Sequence, residues 1–354
     1  MEKVNQVKKI RDSSLDIIRI VAFFSVVSVH FFKDNGFYSQ IVQGGSMYIA
    51  TTMRTAFMVC VPLFLILTGY LMNKKTLSKQ YYTGLIKTLE VYAAASLVCL
   101  IFKIVYLGNT YTLQSIIRGF FEFSIASYSW YVEMYIGLYI MIPFLNILYN
   151  NLSKAEKRIL IIIFLLLTSI PGVVNLYCAV LPDWWVNVYP VTYYFIGCYV
   201  YEFYKRNDSK KYIPVYMLSI LLFGTLNYYL SYGKAFVKGA WQTWGALPNV
   251  IMTVLLFLIL LGVKGNNYPE IVKYWLKKIS GWCFGAYLLS CIFDAMFYPY
   301  LNAAIPEMTM RLKYYVIIVP AVFVCSLLLS AAVNFVLGKM HDVINKFLDF
   351  NKGQ

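Results

Sequence analysis

The sequence is dominated by apolar runs of about 20 residues each, separated by short polar loops. A helix of this length crosses the hydrocarbon core of a bilayer, which is about 30 Å thick. The composition agrees, because 60% of the residues are hydrophobic and only 13% are charged. A transmembrane β-barrel would instead show alternating segments of about ten residues. The sequence therefore predicts an all-α polytopic membrane protein.

We predict about ten transmembrane helices, roughly between residues 14 and 338, within a single membrane domain covering residues 1–354. No soluble accessory domain is expected. The predicted spans are 14–33, 47–72, 82–107, 129–150, 157–177, 187–205, 211–231, 246–264, 281–301 and 314–338. Because ten is an even number, both termini should lie on one side of the membrane.

The basic residues support this topology and identify the side. Twenty-one Lys and Arg residues lie in loops and span ends on the side of the termini. Six lie on the opposite side, and they are Lys33, Arg118, Lys234, Lys238, Arg311 and Lys313. Cytoplasmic loops carry such an excess of positive charge. Both termini are therefore predicted to be cytoplasmic, and the net charge of +15 reflects topology and not a nucleic-acid partner.

The first span carries two unusual polar residues, Arg19 and His30. They are eleven positions apart, which is about three helical turns, so both side chains share one face. They are separated by roughly 16 Å along the helix axis, about half of the hydrocarbon core. Ionisable residues at such depth usually face a protein interior or a wet cavity and mark functional sites.

The predicted direction of each span sorts the buried polar residues into two layers. The cytoplasmic layer contains Asp16, Arg19, Lys87 and Glu90, and the outer layer contains His30, Arg54, Glu133 and Asp294. Charges buried without partners cost several kcal/mol, so the members of each layer should face one another or a cavity. Two polar layers joined by one helix favour a passage through the protein.

Simpler interpretations of these residues also exist. His30 can be an ordinary interfacial polar residue, and Arg19 and Lys87 can extend to lipid headgroups. Glu133 can pair with Arg54 for structure alone. The seven cysteines form no C-x-x-C pair and are best interpreted as small buried residues, so no metal site is predicted. His341 is expected to be a solvated residue of the C-terminal tail.

Several motifs resemble the integral membrane acyltransferase-3 family, the O-acyltransferases of cell-surface polysaccharides. The hallmark is an Arg or Lys followed by ten residues and a His, which matches Arg19 and His30. Four further segments are similar to family motifs in the expected order, namely 61–71, 130–143, 194–199 and 284–288. The resemblance covers essentially the whole chain, and ten helices is the number that it implies.

The sequence departs from the family pattern at three places. The third helix of the family often begins with Arg-x-x-Arg, and Gly84 and Lys87 stand at those positions here. Ser290 replaces a histidine of the ninth helix, and Thr68 replaces a serine of the second. The first two changes concern donor binding and the outer site, the Thr68 change is mild, and Arg19 and His30 are unchanged.

The resemblance implies an acyl donor, acetyl-CoA, on the cytoplasmic side and a surface polysaccharide or lipid-linked sugar as acceptor on the outer side of a bacterial plasma membrane. Arg19 and Lys87 would hold the phosphate groups of the donor. His30 would act on the sugar hydroxyl, with Glu133 or Asp294 orienting its imidazole. Arg54 would stabilise the developing oxyanion.

Trp130 and Tyr131 lie at the predicted outer mouth, where they would stack on a sugar or belong to an interfacial aromatic belt. Whether His30 is a general base or carries the acyl group stays open. The alternative function is a transporter or flippase of a lipid-linked glycan, which would use the same polar layers as its pathway. The sequence shows no internal repeat of the kind that many transporters have.

Overall fold

We describe the protein from a computed structural model, which covers residues 11–176 and 178–352, with the side chains of 207, 208, 266 and 344–352 left out. The basic residues Lys3, Lys8 and Lys9, which contribute to the predicted cytoplasmic N-terminus, lie outside this part. The helices are α1 (Ser13–Asp34), α2 (Gly44–Phe57), α3 (Cys60–Met72), α4 (Lys79–Val105), α5 (Leu113–Phe121), α6 (Trp130–Asn150), α7 (Lys154–Thr168), α8 (Pro171–Val174), α9 (Tyr189–Phe203), α10 (Tyr212–Ser231), α11 (Leu247–Leu261), α12 (Glu270–Ala304), α13 (Met308–Arg311) and α14 (Tyr315–Lys352). The all-α prediction is confirmed, since the described residues form no strand beyond isolated bridges.

Nine helical segments of the described chain are long and apolar enough to cross a membrane. The predicted span 187–205 is not among them, because α9 has only 15 residues and a length of about 22 Å. It nevertheless lies antiparallel to α7. Lys157 pairs with Glu202 at one end of the two helices, and Thr168 bonds Thr192 at the other. The sidedness of the termini stays a prediction.

The predicted second span is two helices, α2 and α3, and Pro62 explains the break. A proline has no backbone N–H, so Pro62 cannot donate to the carbonyl of Met58, four residues earlier. Helix α2 therefore ends at Phe57, and α3 begins at Cys60. Arg54 lies in the last turn of α2, where the helix dipole favours a cation.

Helix α1 lies at the centre of the bundle. It contacts α2, α3, α11, α12 and α14. Its start is capped by the side chain of Asp12, which accepts a hydrogen bond from the Ser14 amide at 3.0 Å. Phe23, Phe31 and Phe32 of α1 are fully buried. Because α1 is enclosed on several sides, the polar residues on it are held in fixed positions within the bundle.

Helices α3 and α9 approach each other closely through two glycines. A Cβ atom on Gly69 would collide with the backbone of Tyr194, and one on Gly197 would collide with the backbone carbonyl of Ile66. Small residues allow membrane helices to pack backbone against backbone. This contact positions α3, which forms one wall of the cavity described below.

Candidate active site

The structure brings His30 of α1 against Asp294 of α12. The imidazole Nδ1 lies 3.2 Å from the carboxylate Oδ2, and the two side chains are 12% and 5% exposed. Neither residue is near the other in sequence, so this pair exists only because α1 and α12 pack side by side. We refer to His30 and Asp294 as the histidine pair.

Tyr128 holds the histidine pair from the loop before α6. Its ring lies against the imidazole of His30 at a tilt of 30° with centroids 3.8 Å apart, and its hydroxyl donates to Asp294 Oδ2 at 2.7 Å. The Tyr128 carbonyl in turn accepts a hydrogen bond from the Tyr287 hydroxyl at 2.5 Å. Asp34, one turn beyond His30, lies 3.4 Å from the Tyr128 hydroxyl. Sequence reasoning missed Tyr128 and Asp34, although the four-residue spacing between His30 and Asp34 signals a shared face.

The orientation of the histidine pair defines its chemistry. A carboxylate beside Nδ1 favours the tautomer that carries a proton on that nitrogen. The second ring nitrogen, Nε2, is then available to accept a proton from a substrate. Nδ1 makes no hydrogen bond of good angle with the described residues, and such bonds often tighten only when a substrate binds. The pair therefore has the composition of a general base and the group that orients it.

Arg19, about three turns before His30, lies in a separate polar cluster. Its Nη1 atom is 3.2 Å from Asp16 Oδ1 and donates to the Ser280 hydroxyl at 3.3 Å. Arg11 also donates two hydrogen bonds to Asp16, at 2.6 and 2.9 Å. The hydrogen bond to Asp16 raises the pKa of Arg11 above its ordinary value. Two guanidinium groups thus face one buried carboxylate, and the cluster keeps a net positive charge.

A cavity of about 470 Å³ extends from this cluster towards the histidine pair, between α1, α3, α4, α6 and α12. We call it the central cavity. Arg19, Lys75, Thr88 and Ser280 line its polar part. Most of the remaining wall is apolar or aromatic, including Val26, Val61, Phe64, Leu67, Tyr131 and Tyr287. Such a lining, mostly apolar with a few polar groups, is typical of sites for small molecules and cofactors.

The central cavity ends close to the histidine pair. Arg19 and Val26 on α1, like Ser280 and Tyr287 on α12, are seven residues apart, which is about 10 Å along each helix. Val26 lies one turn before His30. Tyr287 bonds the carbonyl of Tyr128, whose ring covers the imidazole. An extended ligand anchored at Arg19 would therefore point towards His30.

Lys87 and Glu90 do not join Arg19. Lys87 is exposed and is not among the residues that line the central cavity, whereas Lys75 is. Glu90 Oε2 instead lies 3.2 Å from Nε2 of His341, which is exposed as expected. A Cβ at Gly84 would press on the hydroxyl of Tyr139.

Glu133 and Arg54 do not meet either. Glu133 is exposed, and no described residue forms an ion pair or hydrogen bond with its carboxylate. Arg54 is buried, donating to Gln242 Oε1 at 2.9 Å and to the Tyr38 hydroxyl at 3.2 Å, with its guanidinium over the ring of Phe236. These contacts hold α2 against the loop before α11. None of them involves His30 or Asp294.

Trp130 and Tyr131 separate although they are adjacent in sequence. Trp130 is 38% exposed and stacks on Trp244 with centroids 6.2 Å apart, whereas Tyr131 is buried and lines the central cavity.

Ser290, which stands where a histidine was expected, is buried and donates to the carbonyl of Tyr287 at 2.9 Å. The partners of His30 are thus Asp294 and Tyr128, and not a residue at position 290.

A family sequence model described as an acyltransferase domain matches residues 12–331, which is most of the chain and includes the histidine pair, Tyr128 and the whole central cavity. No curated protein and no solved structure matches the chain.

Proposed function

The chain belongs to the acyltransferase-3 family, and we propose on that premise that it is an O-acetyltransferase that moves the acetyl group of cytoplasmic acetyl-CoA to a hydroxyl group on the other side of the membrane. The acceptor is a surface polysaccharide or a lipid-linked sugar, and the membrane is the bacterial plasma membrane. One observation carries this proposal, namely the central cavity that extends from Arg19 towards the histidine pair and ends close to it.

The central cavity suits the pantetheine arm of the donor. Coenzyme A is anionic at its nucleotide end, and its arm is extended and only moderately polar. Arg19 and Lys75 offer cations for the diphosphate at the base of the arm, while Thr68, Thr88 and Ser280 offer hydroxyls along the wall. The excess of basic residues on the side of the termini supports a cytoplasmic entrance.

The transfer requires one proton to move from oxygen to sulfur. His30 removes the proton of the acceptor hydroxyl, and the oxygen attacks the carbonyl carbon of the thioester. The C–O bond forms, the C–S bond breaks, and the imidazolium returns its proton to the departing thiolate. Asp294 stabilises the transient imidazolium of His30, and Tyr128 holds the side chains of His30 and Asp294 in position. An ester and a free thiol result, so atoms and charges balance.

The acceptor would approach from the side of Trp130. Its exposed ring and the neighbouring ring of Trp244 offer a flat apolar surface on which a sugar can stack. Glu133, one turn after Trp130 and also exposed, offers a carboxylate for sugar hydroxyls. We place Arg54 outside the chemistry, since its described contacts are structural.

The two histidines of the chain provide a matched test. We expect His30→Ala to abolish the transfer of radiolabelled acetate from acetyl-CoA to glycan in membrane vesicles. His341→Ala removes the other, exposed histidine and should retain full transfer. Both variants should be monodisperse in detergent with unchanged thermal unfolding.

Transfer by His30→Ala at the level of the native protein would refute the mechanism. Compositional analysis of the surface glycan with and without the protein separates the two functional classes. Loss of an ester from an otherwise unchanged glycan supports the transferase. Loss of the glycan itself from the outer surface would support the transporter instead.

A further inference from the structure

A second cavity, of about 1100 Å³, lies beside the first helix and shares no lining residue with the central cavity. Three separate segments form it: Asp12 before α1, the stretch 206–213 at the start of α10, and the stretch 259–267 at the end of α11. We call it the basic cavity. Its size is slightly above the usual range for small-molecule sites, which is roughly 300–1,000 Å³.

The described lining of the basic cavity carries an excess of positive charge. Arg206, Lys210, Lys211 and Lys264 contribute four cations, against one carboxylate from Asp12. Asp12 is already paired, since Arg206 Nη1 lies 2.5 Å from its Oδ2. The side chains of Lys210 and Lys264 form no ion pair with the described residues. Several like charges that converge on one concave surface focus a positive potential there.

Topology alone does not require this arrangement. Basic residues that only follow the positive-inside rule need to lie on the cytoplasmic loops, at any orientation. Here the cations come from separate segments and surround one cavity, whose wall also includes the apolar Ile213, Ile259 and Leu261. Mixed charged and apolar walls are typical of sites that bind a molecule with both kinds of group.

The basic cavity is linked to the central cavity through Arg206. The Arg206 Nη2 atom donates to the Tyr70 hydroxyl at 2.7 Å. Tyr70 directly precedes Leu71 and Met72, which line the central cavity. One guanidinium therefore contacts both the wall of the basic cavity and the helix that walls the other.

We propose that the basic cavity binds the phosphate groups of an anionic small molecule, with Lys210 and Lys264 as its ligands. Two sources supply this chemistry at a cytoplasmic membrane surface, namely the 3′-phosphorylated nucleotide end of acyl-CoA and the headgroup of an anionic phospholipid. The nucleotide source rests on the proposed function, because its acetyl arm would have to reach the central cavity. The lipid source is independent of acyl transfer.

Binding to both sources can be measured without turnover. The first arm uses phosphatidylcholine nanodiscs and titrates adenosine 3′,5′-bisphosphate by isothermal calorimetry. The second arm uses detergent-solubilised protein and measures retention of phosphatidylglycerol by native mass spectrometry. The variant K210Q/K264Q removes the two lysines of the basic cavity that form no ion pair with the described residues. The control K277Q/K339Q removes two other exposed lysines that do not line it.

We expect the native protein to bind one of the two probes. K210Q/K264Q should weaken the affinity for that probe roughly tenfold, because contacts to a charged group are lost. The affinity of the control K277Q/K339Q should stay within about twofold of the native value. A loss confined to the nucleotide arm identifies the donor as the source, and one confined to the lipid arm identifies the headgroup. The proposal is overturned if neither probe binds, or if the two double variants weaken binding equally. Absence of acetyl transfer with intact, lysine-dependent probe binding would refute the proposed function alone.

Discussion

Replacement of Asp294 by asparagine removes the negative charge that faces His30 and changes little else. Asparagine has nearly the same shape. Its side-chain oxygen can still accept the hydrogen bond from the Tyr128 hydroxyl, which is 2.7 Å long in the native protein. Asp294 does not line the central cavity, so the donor should bind as before. The variant therefore isolates the electrostatic role of the carboxylate.

The expected loss follows from the geometry of the histidine pair. Two full charges 3.2 Å apart attract by about 5 kcal/mol at an effective dielectric constant of about 20. If about half of the imidazolium charge has developed in the transition state, the carboxylate contributes about 2–3 kcal/mol. The rate of transfer should then fall roughly 30- to 150-fold.

Single-turnover transfer of labelled acetate in proteoliposomes measures this rate, and calorimetry measures acetyl-CoA affinity in parallel. We expect a lower single-turnover rate constant with an unchanged affinity for acetyl-CoA. A transfer rate within threefold of the native protein would refute the role of Asp294. A parallel loss of acetyl-CoA affinity would show that the carboxylate acts on donor binding and not on His30.

Three further changes test other parts of the structure. Tyr128→Phe removes the hydroxyl bonded to Asp294 and should lower kcat about tenfold without changing the KM for acetyl-CoA, as for a positioning residue. Arg19→Ala should weaken acetyl-CoA binding roughly tenfold in calorimetry, because a cation is lost from the central cavity. Gly197→Leu should force α3 and α9 apart and cost about 3 kcal/mol, seen as a lower Tm in detergent.

Each of these three predictions has an outcome that would contradict it. A Tyr128→Phe protein with native kcat would remove Tyr128 from the mechanism. Native donor affinity in Arg19→Ala would return Arg19 to the role of a headgroup anchor. Gly197→Leu has a matched control in Gly137→Leu, since a Cβ at Gly137 meets no atom within 4 Å. Equal Tm values for the two glycine variants would contradict the close packing of α3 and α9.

Much of the fold could be predicted from the sequence, because membrane insertion depends on local hydrophobicity. Nine of the ten predicted spans correspond to segments long and apolar enough to cross a membrane. The remaining predicted span, 187–205, is longer than α9, which begins at Tyr189 and ends at Phe203. Hydropathy also merged α2 with α3, although Pro62 was a visible signal for a break.

The site was predicted less completely, because depth in the membrane does not specify which helices touch. Asp294 and Glu133 were both expected near the depth of His30, and the packing of α12 against α1 brings only Asp294 into contact. Glu133 lies on the exposed face of α6. In the same way Lys75, and not Lys87, reaches the central cavity.

The sequence by itself determined the helical membrane fold, the expected direction of each helix and the positions of Arg19 and His30 on one face of α1. These properties depend on hydrophobicity and helical periodicity, which are local. Only the tertiary structure decided that His30 faces Asp294, that Tyr128 from a loop covers the imidazole, and that a cavity extends from Arg19 towards this pair. The physical reason is that lipid-facing and protein-facing apolar residues look alike in sequence, so the partners of each helix are chosen by close packing, as at Gly69 and Gly197.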